Sequence, residues 1–342
     1  MTIYEVAREA GVSIASVSRV LHGQNGVSEL TRERVGAVIE RLGYVANGAA
    51  RGLARKRLGV LGFVFCDLEE SATSDGVTPF YSHEIVRGAE RAARRAGDAI
   101  LLASTHSVSG HGQVFELATK VDGLAVMAGS LSATDLRRLA ARVPVACFAA
   151  GRGSVDVDSI CVDNFGGARA VTEHLLEHGF GDVAFVAGPK RSAEARARFN
   201  GYRRALGDAG LDAPKQPEVG GDFTESGGEN AVEQLLSKRH RPPRALVVGN
   251  DQMAVGAMRA LAHAGLDVPG DVALAGFDDI PLARHVTPAL TTARQPMRAI
   301  GEKCAQLLSR RIEQPDVEPV MLALPAGLIV RKSCGCTENG DE

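Results

Sequence analysis

Residues 2–23, TIYEVAREAGVSIASVSRVLHG, decide how this chain is read. Thr2 followed three positions later by Glu5 has the capping-box pattern, so a helix is expected from Thr2 to about Ala10. Gly11 ends it, because glycine readily takes the left-handed conformation that follows a helix. Only Val12 then intervenes before Ser13, a good N-cap, opens a second helix through about Leu21. So short a connection cannot return the chain antiparallel. The two helices must cross steeply, which is the helix-turn-helix arrangement. A third helix is expected from Ser28 to just before Gly43, with Val35, Val38, Ile39 and Leu42 on one face at spacings of three and four. Val6, Ala7, Val17, Val20 and Leu21 are placed to pack between the helices.

A second helix held in this way presents Ile14, Ala15, Ser16 and Arg19 outward near its start, where a recognition helix meets base edges. Arg19 suits a bidentate contact to guanine, Ser16 a base or phosphate, and Ala15 a thymine methyl. The bland alternative is a small helical bundle with an incidental turn. It leaves unexplained why caps, turn length, polar outer face and charge all agree. Residues 1–57 hold nine Lys or Arg against five Asp or Glu, a balance of +4, while the whole chain is −2 and its remainder therefore −6. A basic module on an acidic body suits a polyanion at one end only.

With VSELTRERVGAVIERLGYVANGAARGLA at residues 27–54, this opening resembles the DNA-binding module of the LacI/GalR family of bacterial repressors. The resemblance implies a palindromic double-stranded DNA operator read by a homodimer. It also implies a hinge helix around residues 46–54 that folds on DNA and enters the minor groove, with Leu53 wedged into the central base step. His22 departs from the asparagine usual there, and Gly48 and Gly52 weaken the hinge helix. The candidate DNA-contacting residues are Tyr4, Ser13, Ile14, Ala15, Ser16, Arg19, His22, Thr31 and Leu53. Domains are expected at 1–45 (helix-turn-helix, all α), 46–57 (hinge) and 58–338 (effector-binding and dimerisation core).

From Arg57 onward, apolar runs alternate with amphipathic helical patterns: LGVLGFVFC, AILLAS, VDGLAVM, PVACFA, SICV, DVAFVAG, RALVVG and DVALAGF. Near-continuous apolar strands separated by helices indicate parallel sheet covered on both faces. Eight such runs suggest two similar α/β lobes, and the resemblance implies a core like a periplasmic binding protein. The first lobe is expected at 58–161 plus 293–319, the second at 162–292 plus 320–338. Ligands of such sheets bind beyond the carboxyl ends of the strands. The candidates there are Phe80, Ser192, Arg198, Phe223, Asn250, Asp278 and Gln295, an inventory for a polyol or a heterocycle. Each has a plainer reading: Asp278 as a turn cap, Arg198 as a surface charge, Phe80 and Phe223 as core. The resemblance singles out Asp278, Arg198 and Asn250, through G-F-D-D, R-A-R-F-N-G-Y and G-N-D-Q. Ala149 stands where sugar-responsive members often carry Asp, so a nucleobase or a protein co-regulator stays open beside a sugar. The sequence leaves open whether the effector releases the operator or promotes binding to it, and the family resemblance favours release.

No G-x-G-x-x-G follows the first strand of the body, and neither a G-x-S-x-G elbow, a Walker loop nor H-E-x-x-H occurs, so no enzyme class is indicated. No apolar run approaches the roughly 18 residues of a membrane span. The opening lacks the basic-then-apolar pattern of a secretory signal, so the expected compartment is the cytoplasm and a transport binding protein is disfavoured. Cysteines stand at 66, 147, 161, 304, 334 and 336. Cys334 and Cys336 form C-x-C near the tail. With no histidine or second cysteine pair nearby in sequence they read as inert thiols, so neither a metal nor a cofactor is expected. After Arg331 no heptad repeat appears, which favours a dimer over a tetramer.

Overall fold

The computed structural model describes residues 1–21, 25–44, 57–67, 79–106, 111–149 and 156–337. His22, Leu53 and the expected hinge helix lie outside the described residues. The chain divides into two compact units, Met1–Val60 and Leu61–Glu342.

The first unit is built from α1 (Ile3–Ala10), α2 (Ile14–Leu21) and α3 (Glu29–Leu42). Local chemistry sets each boundary. The Thr2 amide donates to Glu5 Oε2 at 2.7 Å while the Glu5 amide donates to Thr2 Oγ1 at 3.4 Å, the reciprocal capping box. Gly11 and Gly43 close α1 and α3 in the left-handed conformation. Ser13 Oγ accepts from the Ser16 amide at 3.1 Å, and Ser28 caps α3. Val6, Ala7, Ala10, Val17, Val35, Val38 and Tyr44 form the buried core, with Val20, Leu21, Ile39 and Leu42 half-buried against it.

The second unit holds two sheets. The first runs β11-β5-β4-β3-β1-β2, from β1 (Val60–Asp67), β2 (Ala99–His106), β3 (Gly123–Met127), β4 (Val145–Phe148), β5 (Asp158–Val162) and β11 (Met321–Leu324). The second runs β12-β10-β9-β8-β6-β7, from β6 (Val183–Ala187), β7 (Val219–Gly220), β8 (Ala245–Val248), β9 (Ala273–Asp278), β10 (Thr291–Arg294) and β12 (Gly327–Ile329). β10 and β12 pair antiparallel, whereas β6, β8 and β9 pair in parallel, as do β3, β4 and β5.

The second sheet shows why its strands are apolar throughout. Ala184 and Val186 of β6 face α9 (Glu225–Lys238) and α10 (Asp251–His263), where Val232, Leu235, Met253 and Leu261 are buried. The alternate residues Val183, Phe185 and Ala187 face α7 (Asn164–Glu177) and α8 (Ala193–Asp208), against Val171, Leu175, Phe199 and Tyr202. With both faces buried, no polar alternation survives. The first sheet buries Leu61, Phe63 and Phe148 with Ile85 of α4 (Pro79–Ala96) and with Ile300 and Leu308 of α12 (Met297–Glu313). Two shorter helices, α5 (His111–Leu117) and α6 (Ala133–Ala140), complete this lobe, and the single turn α11 (Leu282–His285) follows β9.

Two expected lobe boundaries are corrected. Residues 321–324 pair with β5 in the first sheet, although 320–338 were expected wholly in the second lobe. Ala293 and Arg294 pair with Phe277 and Asp278 in the second sheet, although the first lobe was expected to resume at residue 293. Both slips concern strands of only four residues, too short for a hydrophobic run to mark them.

Candidate functional site

The site forms where β9 ends. Asp278 and Asp279 take positive φ values of 123° and 56°, conformations that cost a residue with a side chain on the order of 1–3 kcal/mol each. Asp279 is clamped from three sides: Arg294 Nε donates to its Oδ2 at 2.6 Å, Arg331 donates to its Oδ1 at 2.7 Å, and Arg284 lies 3.7 Å away. The clamp holds the turn, and the turn directs Asp278 to Arg198.

Arg198, on the second turn of α8, is only 3% exposed. Its Nε donates to Asn164 Oδ1 at 2.8 Å and its terminal nitrogen to the Gly249 carbonyl at 2.6 Å. The same terminal nitrogen stands 3.3 Å from Asp278 Oδ1. The guanidinium lies 3.9 Å from the Phe277 ring centroid and 5.6 Å from that of Phe223. Gln295 Nε2 donates to Asp278 Oδ1 at 2.5 Å.

Asn250 is the N-cap of α10: its Oδ1 accepts from the Met253 amide and its Nδ2 donates to the Phe223 carbonyl, both at 3.0 Å. It therefore tethers Phe223, which sits at φ 74° with its ring laid over Gly188. A Cβ on Gly188 would stand 2.3 Å from that ring, so only glycine permits the approach. Ser192 caps α8 through the Ala195 amide at 3.1 Å. Phe80 is 41% exposed, whereas its neighbour Tyr81 is buried and feels the charges of Glu194 and Asp278.

Sequence reasoning thus picked Phe80 where the next residue turns inward. It also missed Asn164, Glu194 and Asp251. Glu194 was recoverable, being four residues before Arg198 on the same helical face. Asn164 and Tyr81 had no local signal.

Burial pushes the carboxyl groups of Asp251, Asp278 and Glu194 above the usual carboxylate range, although Arg198 pulls the last two down. Asp251 rises to about 7, through burial and then the charge of Asp278, against bonds from Thr292 and the Ile280 amide. Those bonds are short, at 2.6 Å from Thr292 Oγ1 and 3.0 Å from the Ile280 amide. Glu194 Oε1 and Gln295 Oε1 are buried acceptors with no donor among the described residues. A separate recess of about 380 Å³ lies between Asp182, Tyr202, Leu211 and Arg239. It opens at the amino end of β6, and Arg239 is already paired with Glu218 at 2.6 Å and Asp182 at 2.9 Å. Ligands of parallel sheets gather at the opposite end, so the cluster around Asp278 is the better site.

On the helix-turn-helix unit, Tyr4, Ile14, Ala15 and Arg19 are exposed. Ser16 is half-buried with its hydroxyl 3.0 Å from Ser13 Oγ, and the half-buried Thr31 makes the same contact to Ser28 at 2.9 Å. Cys334 and Cys336, read as inert for want of a nearby histidine, stand against His174 and His178.

A helix-turn-helix unit on a two-sheet binding core is the construction of a ligand-responsive DNA-binding regulator. Residues 2–47 match the family described as bacterial regulatory proteins, lacI family, and residues 172–334 match a periplasmic binding protein-like domain. The chain is 35% identical over 340 residues to the ribose operon repressor of Escherichia coli (strain K12), covering 97% of this chain and 99% of the relative. Among solved structures, the regulator CelR in complex with cellobiose superposes with a TM-score of 0.72 at 33% identity, covering 97% of this chain and 99% of that one. The lac repressor dimer bound to operator and an anti-inducer superposes at 0.81 with 30% identity, covering 98% and 99%. This chain belongs to the lacI family of bacterial regulatory proteins; it is a DNA-binding transcription regulator, not an enzyme. Among the described residues no helix is long and apolar enough to cross a membrane.

Proposed function

We propose that this protein is a homodimeric, cytoplasmic repressor of a palindromic operator, and that a small neutral, hydroxyl-rich molecule held around Arg198 and Asp278 sets its affinity for DNA. The observation that carries the effector class is the buried cluster itself. Glu194 Oε1 and Gln295 Oε1 need donors, which sugar hydroxyls supply, and Phe223 offers a face on which a sugar ring can stack. Asp278 and Glu194 bring two carboxyl groups to the one guanidinium of Arg198, which is itself hydrogen-bonded to Asn164 and Gly249, so the cluster suits hydroxyl groups better than a phosphate. The ribose in one relative's name and the cellobiose bound in another support a sugar over a nucleobase. Asn250 acts by capping α10 and tethering Phe223.

At the other end of the molecule Arg19, Ala15 and Ile14 read bases, and Tyr4, Ser13, Ser16 and Thr31 hold the unit on the duplex. A dimer is required because one helix-turn-helix reads only a half-site. Effector contacts favour one arrangement of the core, and the coupling to DNA binding is reciprocal, typically about 1–3 kcal/mol. Binding of the effector releases the operator.

Thermal denaturation of the full chain against neutral sugars, sugar phosphates and nucleobases tests the ligand class. A neutral sugar at a hundredfold its Kd should add about 2.7 kcal/mol of stability, and Asp278→Ala should erase the effect. If a sugar phosphate or a nucleobase raises the melting temperature while every neutral sugar fails, the ligand class is wrong. Sedimentation equilibrium should return a dimer, and a tetramer would refute that assignment.

A further inference from the structure

Far along α7 from Asn164, four side chains converge that play no part in the cluster around Asp278. His174 and His178 are spaced four residues apart and so share one face of the helix end. The chain returns to that face from its other extremity. After β12, Lys332–Cys334 form a single 3₁₀ turn, and Gly335 follows at φ 99°, a left-handed conformation suited to glycine. The reversal brings Cys334 and Cys336 to the same two histidines. His174 Nε2 stands 3.2 Å from Cys334 Sγ and 3.8 Å from Cys336 Sγ, and His178 Nε2 stands 3.2 Å from Cys336 Sγ. One ligand atom from each of the four residues can be chosen so that all lie within 4.8 Å of one another.

These distances have a specific meaning. A tetrahedral zinc ion has bonds of about 2.0–2.1 Å to nitrogen and about 2.3 Å to sulfur, which sets its ligand atoms about 3.3–3.8 Å apart. The three close pairs therefore match the edges of that tetrahedron to within about 0.4 Å. The donor set, two imidazoles and two thiols, is the borderline-soft one that zinc prefers.

We propose that His174, His178, Cys334 and Cys336 form a closed tetrahedral site for a divalent zinc ion. Four protein ligands leave no position for water, so the ion is structural rather than catalytic. Its supporting shell is present. Cys334 is wholly buried, and Thr291 Oγ1 lies 3.1 Å from its sulfur, where a hydroxyl can steady a thiolate. The ring of His178 stacks on Phe180 with centroids 6.1 Å apart, which limits its rotation.

The ion joins α7 to the last turn of the second lobe. Strands β6 to β10 and β12 all lie between the two ligand pairs in sequence, so the bond closes a loop around the whole second sheet. The site does not exist in the unfolded chain, so the free energy of binding the ion stabilises that lobe. Seating of the tail turn also fixes Arg331, whose side chain clamps Asp279. None of this depends on the effector assignment.

The test uses the full chain, reduced, stripped by a chelator and titrated with cobalt(II) as a spectroscopic probe, then with zinc. The expected result is one equivalent per chain, the intense visible bands of tetrahedral cobalt with a thiolate charge-transfer band, and displacement of that spectrum by zinc. The melting temperature should rise with zinc, because an ion that binds only the folded state stabilises it. His178 is exposed and Cys336 half-exposed, so His178→Gln and Cys336→Ser should keep the far-UV spectrum of the folded chain. Each should weaken zinc by more than ~100-fold, beyond what loss of a supporting outer-shell partner costs. Cys336→Ser should also diminish the charge-transfer band. A stripped chain that takes up neither metal at micromolar concentration overturns the proposal. So does uptake that both variants leave unchanged.

Discussion

Asp251 makes the stability of the core depend on pH in a direction that can be worked out. Its side chain is fully buried, and its carboxyl is pushed up to about 7. The native state thus keeps a proton that the unfolded chain gives up near pH 4. A folded pKa raised above the unfolded value contributes stability that is complete below the unfolded pKa. That contribution is lost as pH rises through the folded one, here between about 4 and about 7. Between pH 5 and pH 8 the loss amounts to about two pH units of proton binding, or on the order of 3 kcal/mol. Asp251→Asn isolates this contribution. The amide oxygen can still accept from the Ile280 amide, and the amide nitrogen can donate to Thr292 Oγ1, because a hydroxyl also accepts. Urea unfolding followed by circular dichroism suits a chain without tryptophan. Stability of the variant minus that of the wild type should climb by that amount between pH 5 and pH 8. A difference that stays flat across this range would refute the assignment of a raised carboxyl at Asp251.

Further outcomes follow from single residues. Arg19→Ala removes a bidentate base contact worth about 1–3 kcal/mol. Operator affinity should fall roughly 5- to 150-fold in a filter or anisotropy assay, while effector-induced stabilisation persists. Asp278→Ala should do the reverse, losing the effector response and keeping the operator; matching phenotypes in the two variants would break the separation of sites. Gly188→Ala sets a methyl 2.3 Å from the Phe223 ring, so calorimetry should show effector affinity falling while operator binding holds. Val17→Ala opens a cavity in the small core of the DNA-binding unit and should cost about 2 kcal/mol, read as an earlier loss of helical signal on denaturation.

The parts of this molecule legible in its sequence are those written within one turn or one strand. Thr2 with Glu5, Gly11 after Ala10, and Ser28 before Glu29 each fix a helix end through bonds spanning only a few residues, and the structure places those ends accordingly. The eight apolar runs become strands, most of them buried on both faces so that no polar alternation interrupts them, while the edge strand β2 leaves Leu102 exposed. Asp278 was a candidate because it follows such a strand, Arg198 because its helix segment resembles the family's, and the structure sets the two 3.3 Å apart. Phe80 was not resolved from Tyr81, since adjacent residues on a helix differ only by which way the helix is rotated.

Other features exist only in three dimensions. β11 is four residues long with alternating half-exposure, and only its pairing with β5 makes it a strand of the first sheet. Asn164 lies 34 residues from Arg198 and carries no motif; the close packing of α7 on α8 makes it a partner. His174 and Cys334 are 160 residues apart, so no local spacing rule could couple them. A capping residue is chosen by its own neighbours, whereas a ligand set is chosen by whichever distant segments the finished fold brings to one point. The helix-turn-helix could therefore be read directly from residues 2–23, while the four-residue cluster at the end of α7 became visible only once the tail was seen folded back upon it.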